Sequence, residues 1–103
     1  MTPPKAALQI DKSTDGHIAI TGELDAATAP QLRAVLAEAV VAGSDRLVLD
    51  VSGLRFCAST GLAVLVCARC GLPTNGQLIL HGASDQLRRL LRITHLDTTF
   101  TLT

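Results

Sequence analysis

Arg46-Leu47-Val48-Leu49-Asp50-Val51 is followed first by Ser52-Gly53-Leu54-Arg55-Phe56-Cys57-Ala58, then by Ser59-Thr60-Gly61-Leu62-Ala63-Val64-Leu65-Val66-Cys67-Ala68. The first run is short, apolar and rich in β-formers, and predicts a central strand covered on both faces. The second predicts a connecting loop. The third opens on two hydroxyl residues and a glycine and is then apolar all round, which predicts a buried helix starting at Ser59. A buried strand leading through a short loop into a helix is one half of a βαβ unit.

On the N-terminal side, Leu8-Gln9-Ile10 and His17-Ile18-Ala19-Ile20-Thr21 alternate in polarity around Ser13-Thr14-Asp15-Gly16, the pattern of a β-hairpin. After Gly22-Glu23-Leu24-Asp25 comes Thr28-Ala29-Pro30-Gln31, with a hydroxyl at the cap, proline in the first turn and Gln at the capping-box position. Leu32, Val35, Leu36, Ala39 and Val40 then share one helical face, and Gly43 supplies the stop.

On the C-terminal side, Gly71 and Pro73 end the Ser59 helix, and Asn75-Gly76 turns into a buried strand at Leu78-Ile79-Leu80. Ser84 caps a third helix with Leu87, Leu90 and Leu91 inward and Arg88, Arg89 and Arg92 toward water. Thr98 to Leu102 supplies an edge strand. The order strand, strand, helix, strand, helix, strand, helix, strand predicts a single α/β domain with a mixed, mostly parallel sheet and flanking helices. Right-handed crossovers gather the loops after the second, third and fourth strands at one end, which carries Asp25, Ser59 and Ser84.

Composition narrows the function. The chain has 103 residues, enough for one core. Residues 1–6 read as a flexible N-terminus and 7–103 as the domain. Nine basic residues balance nine acidic ones, so no field concentrates nucleic acid or anionic lipid. Stacking aromatics are missing too, since Phe56 and Phe100 are the only aromatic residues. The longest apolar run, Leu62 to Ala68, is too short to span a bilayer, and Met1 to Lys5 lacks the apolar segment of a signal peptide, so a cytoplasmic protein is expected.

Cys57, Cys67 and Cys70 are an odd number for a disulfide framework and read as small core residues. Cys67-Ala68-Arg69-Cys70 is a C-x-x-C, which raises a thiol-redox reading. It falls near the C-terminal end of its helix, where the dipole disfavours thiolate, and redox cysteines usually sit at N-termini. One such pair with scattered His17, His81 and His95 makes no zinc set. Gly22, Gly43, Gly53 and Gly61 form no phosphate-binding loop, so no cofactor is expected and the chain reads as no enzyme.

Ser59 has two readings. A hydroxyl at a helix start is ordinarily an N-cap. The same place also suits a phosphate, which the free amides and the positive end of the dipole stabilise. Asp25 likewise reads as a helix-capping carboxylate or as a partner contact.

Gly22-Glu23-Leu24-Asp25 with Thr28-Ala29-Pro30, then Leu47-Val48-Leu49-Asp50-Val51-Ser52-Gly53-Leu54, then Ser59-Thr60-Gly61-Leu62, then Ser84 to Leu96, together resemble a STAS domain of the anti-sigma factor antagonist type. The resemblance implies a chain that binds a serine-kinase anti-sigma factor and so frees a sigma factor. The first hydroxyl of the family's Asp-Ser-Ser/Thr-Gly motif is phosphorylated by that kinase, which releases the antagonist, and a serine phosphatase resets it. By position the acceptor is Ser59, with Thr60 the minor alternative, and the partner surface is Glu23, Asp25, Ala58, Ser59, Thr60, Gly61 and Ser84. Ala58 stands where the family has Asp. The alternative is a STAS scaffold or accessory subunit of a signalling or transport complex that is never phosphorylated.

Overall fold

The computed structural model describes residues 8–12, 16–43 and 45–103. The segment expected to be a flexible N-terminus and the Ser13-Thr14-Asp15 turn lie outside the described residues. Strands β1 (Leu8–Lys12) and β2 (His17–Leu24) pair antiparallel, with Leu8 opposite Gly22 and Lys12 opposite Ile18. Ile18, Ile20 and Leu24 of β2 face the core, as the alternation predicts.

Helix α1 (Ala29–Val41) carries Pro30 in its first turn and buries Leu32 and Leu36. Each of these leucines contributes roughly 1.5–3 kcal/mol of burial. Gly43 ends it at φ +90°, donating its N–H to the Val40 carbonyl at 3.0 Å, in a conformation that glycine adopts without strain. Then follow β3 (Arg46–Cys57), α2 (Ser59–Gly71), β4 (Gln77–His81), α3 (Asp85–Ile93) and β5 (Thr101–Leu102). The sheet order is β1-β2-β3-β4-β5, parallel everywhere except between β1 and β2. The α/β class and the mixed, mostly parallel sheet are therefore as expected.

Strand β3 departs from expectation in length and in cover. It continues through Cys57, so Ser52 to Cys57 is strand and not loop. The register with β2 slips twice, from Ala19–Asp50 to Thr21–Gly53 and from Gly22–Leu54 to Glu23–Phe56, each time leaving one extra residue on β3. Gly53 sits at the first of these bulges, where a Cβ would approach the Thr21 side chain to 3.1 Å. Leu47, Leu49, Val51, Leu54 and Cys57 point into the core, whereas Val48 and Asp50 are half-buried and Ser52 and Phe56 are exposed. Only one face of β3 is covered.

Helix α2 is not wholly buried either. It buries Gly61, Leu62, Val64, Leu65 and Ala68 and leaves Ala63, Cys67 and Cys70 exposed. Its outward positions hold small residues, which count as apolar in a sequence yet cost little in water. The cysteines thus divide: Cys57 is core at 1% exposure, while Cys67 and Cys70 are surface residues. α2 lies along α1, with Gly71 against Val40.

Leu78, Ile79 and Leu80 of β4 are all buried. In α3, Leu87 and Leu91 are buried, Arg89 and Arg92 face water, and Arg88 is half-buried with Nε donating to the Ala83 carbonyl at 3.1 Å. The helix ends with His95 at φ 60°, its N–H bonded to the Arg92 carbonyl and that of Leu96 to the Leu91 carbonyl. This is the Schellman pattern with histidine in place of glycine. The edge strand is shorter than expected, only Thr101 and Leu102 pairing with β4. Among the described residues, no helix is long and apolar enough to cross a membrane.

Candidate functional site

The parallel strands β2 and β3 end side by side, with Leu24 opposite Cys57. The Ala58 N–H donates to the Leu24 carbonyl at 2.8 Å, carrying the ladder one residue further before the chain turns into α2. Ala58 has extended dihedrals (φ −85°, ψ 166°) and occupies the cap position, and its carbonyl accepts the Leu62 N–H at 3.1 Å.

Ser59 is therefore the first residue inside the helix, not its cap. A methyl group cannot accept a hydrogen bond, so α2 starts without a side-chain cap. The Ser59 and Thr60 side chains are exposed, and neither hydroxyl takes part in a hydrogen bond within the described structure. The amides of Ser59, Thr60 and Gly61 have no helical acceptor and point at the space in front of the helix. Gly61 is buried where a Cβ would run into Cγ and Cδ2 of Leu24, so glycine is required for α2 to sit this low on β2.

The loop after β2 borders this helix start. The Asp25 carboxylate accepts through Oδ1 from the amides of Ala27 (3.0 Å) and Thr28 (3.2 Å), while its Oδ2 takes part in neither bond. Thr28 is 4% exposed, and its hydroxyl donates to the Glu23 carbonyl (2.8 Å) and accepts from the Asp25 amide (3.0 Å). The expected capping bond from Thr28 to α1 is not made. The loop competes for that hydroxyl and wins, because a buried polar group takes the partners its own turn brings. Asp25 thus holds the turn into α1, and the Glu23 side chain is half-buried beside it.

Ser84 does cap: its Oγ accepts the Leu87 N–H at 3.2 Å. The end of the sheet brings Glu23, Asp25, Ala58, Ser59, Thr60 and Gly61 around the Leu24–Cys57 pair. Ser84 bonds within α3, and it is α3, not Ser84 itself, that reaches this pair. The link is Gln86, which sequence reasoning missed. Its Oε1 accepts the Cys57 N–H at 3.3 Å and its Nε2 donates to the Cys57 carbonyl at 3.2 Å. No signal in the sequence marks it, because the need for it arises only where β3 outruns β4, and that is visible only in the structure.

Of the remaining reactive groups, Cys57 lies at this end of the sheet and the others lie elsewhere. Burial pushes the Cys57 thiol up to about 11, which makes it a poor nucleophile. Cys67 and Cys70 lie in the last part of α2, and all three cysteines are free. Among the described residues no group of three His, Cys, Asp or Glu side chains gathers as a metal site. On the uncovered face of the sheet, Asp50 Oδ1 accepts from Ser52 Oγ (2.6 Å) and N (3.0 Å), and these bonds, with nearby His81, hold its carboxyl below the usual value. An apolar groove of ≈ 240 Å³ runs between Val40, Val41, Cys67 and Gly71, at the far end of α2 from Ser59.

Comparisons with known proteins agree with this fold. The family model described as Mlab, STAS domain matches residues 8–103. The anti-sigma-B factor antagonist of Listeria monocytogenes serovar 1/2a is 37% identical over 94 residues, covering 88% of this chain and 82% of that protein. Among solved structures, an anti-sigma factor antagonist from Mycobacterium paratuberculosis superposes with a TM-score of 0.81 at 28% identity, over 99% of this chain and 89% of that one. The Bacillus cell fate determinant SpoIIAA in its phosphorylated form shares the fold, with a TM-score of 0.70 at 24% identity over 94% and 91% of the two chains.

Proposed function

The chain belongs to the STAS domain family, and from that premise we propose that it is an anti-sigma factor antagonist, a regulatory binding protein that works in the cytoplasm and is switched at Ser59. Its partner is an anti-sigma factor that is also a serine kinase. In the unmodified state the antagonist holds that factor and a sigma factor goes free. Phosphorylation of Ser59 breaks the complex, and a serine phosphatase restores it. The chain is substrate and ligand, not catalyst.

The observation that carries this reading is that Ser59 is exposed, one residue inside an uncapped helix, with a hydroxyl no neighbour uses. A phosphate there meets free amides and the positive end of the α2 dipole, so it is accommodated without unfolding. It adds about 1.5 to 2 negative charges to a surface that otherwise balances. Glu23 and Asp25 already supply carboxylates at the same end of the sheet, so a basic partner surface that pairs with them faces crowded negative charge once Ser59 is modified. The switch is electrostatic and leaves the fold in place.

Incubation with ATP and each serine-kinase anti-sigma factor of its own organism, followed by mass spectrometry, should place one phosphate on Ser59. Ser59→Ala should bind the partner constitutively, and Ser59→Asp should bind at least about tenfold more weakly, equivalent to about 1.4 kcal/mol. No phosphate together with equal affinities would sink the switch. Those results would favour a STAS scaffold that is never phosphorylated, a reading that Ala58, in place of the family's Asp, supports.

A further inference from the structure

Strand β4 stops pairing with β3 at Asp50–His81, so from Val51 to Cys57 β3 has a strand neighbour on the β2 side only. At the end of this half-open stretch the missing neighbour is replaced by a side chain. The Gln86 amide has the donor and acceptor of a peptide unit, and both meet the backbone of one residue, Cys57, at 3.2 Å and 3.3 Å. A two-point contact of this kind fixes orientation as well as position, as one rung of a β-ladder does.

Cys57 is two residues before Ser59. On its other side the chain is pinned by the Ala58 N–H to the Leu24 carbonyl. Helix α2 has no side-chain cap of its own, so the place and direction of its first turn are set by these anchors and by Gly61 resting on Leu24. In the proposed reaction, Ser59 Oγ attacks the γ-phosphorus of ATP held by the kinase. The Oγ–P bond forms, the bond to the β–γ bridging oxygen breaks, ADP leaves, and the hydroxyl proton passes to a base of the kinase. Such a step requires in-line approach, and a misplacement of about 1 Å costs on the order of 100-fold in rate.

We propose that Gln86 is a positioning residue for phosphoryl transfer to Ser59: its side-chain amide completes the free edge of β3 at Cys57 and so holds Ser59 Oγ in the attitude the kinase requires. This rests on the reading of Ser59 as the phosphorylated residue. Gln86 touches neither ATP nor the reacting atoms. Its effect belongs in kcat, since the docking carboxylates of Glu23, at the end of β2, and Asp25, in the loop that follows, are not held by Gln86.

The test compares wild type, Gln86→Ala and Gln86→Glu as substrates of the serine-kinase anti-sigma factor with ATP, and follows amide hydrogen exchange in each free protein. Gln86→Glu keeps the shape and the acceptor but loses the donor and sets a carboxylate against the Cys57 carbonyl. Both variants should lower kcat fivefold or more with KM changed less than twofold, and exchange at the Cys57 amide should rise tenfold or more in Gln86→Ala, which loses the acceptor of that N–H. Leu90→Ala, which loosens α3 and leaves Gln86 in place, should keep wild-type kcat even where its denaturation midpoint falls as far. Wild-type kcat in both Gln86 variants, on a Ser59 that the kinase does modify, would overturn the proposal. No phosphate on wild-type Ser59 would overturn the Ser59 reading and this proposal with it, and the faster Cys57 exchange in Gln86→Ala would then mark the failure as the reading's.

Discussion

The starts of α2 and α3 look alike in sequence and differ by one residue in structure. Each helix follows an extended residue, with ψ near 166° at Ala58 and 165° at Ser84, and each has a serine at its beginning. In α3 the serine is the cap, its oxygen takes the Leu87 amide, and Asp85 adds a negative charge where the dipole favours one. In α2 the cap is alanine, the serine comes one position later, and the first turn has no acid. That shift turns a hydroxyl from a stabilising device into a group open to solvent and to an enzyme. The closed end belongs to the scaffold, and the open end is available for regulation.

The comparison can be broken or sharpened by substitution. The largest effect is expected from Gly61→Ala, which drives a methyl group into Leu24 beneath the open end. Overpacking of this kind costs about 2 to 3 kcal/mol by chemical denaturation, and a loss under about 0.5 kcal/mol would show that α2 is not seated on β2 as described. Next comes the alkaline limb of stability. The unfolded chain releases the Cys57 proton near 9.0, while the folded state holds it up to about 11, so stability falls as pH rises between those values. The loss reaches about 2 kcal/mol, and Cys57→Ala should flatten that slope.

Ser84→Ala removes a cap and should cost about 1 kcal/mol, whereas Ser59→Ala should change stability by less than about 0.5 kcal/mol. Equal losses would mean that the two helix starts are not different after all. The smallest effect is expected from Ala58→Asp, which gives α2 a cap and should gain about 0.5 kcal/mol in thermal or chemical unfolding. A gain of that size would make the open end resemble the closed one.

Much of this was legible in the sequence for identifiable reasons. The 3.6-residue period of Leu32, Val35, Leu36, Ala39 and Val40 locates α1, the turn chemistry of Asn75-Gly76 locates β4, and Ser84 has the residue type and position of the cap that it is. The misreadings share a cause. Ser52-Gly53 resembles a turn by composition, and only the pairing with β2 shows it to be a bulge within a longer strand. An all-apolar helix predicts burial, but Ala63, Cys67 and Cys70 are small enough to face water. The sequence points to Ser59 as the cap of α2, one residue late, because Ala58 carries no sign of being a cap. Gln86 was invisible because a side chain that completes a strand edge has no pattern of its own.

The sequential order of the sheet has a consequence for how the chain reaches its native state. Among the described residues, every strand pairs only with strands that are its neighbours along the chain. No loop longer than one helix with its turns has to close before a ladder forms, so the entropy of closure stays modest at each step. A parallel sheet with this order has a lower contact order than one whose first strand waits for the last, and should fold correspondingly faster. During synthesis, each βα unit leaving the ribosome finds the edge it needs already built, and the two-residue β5 closes the domain last.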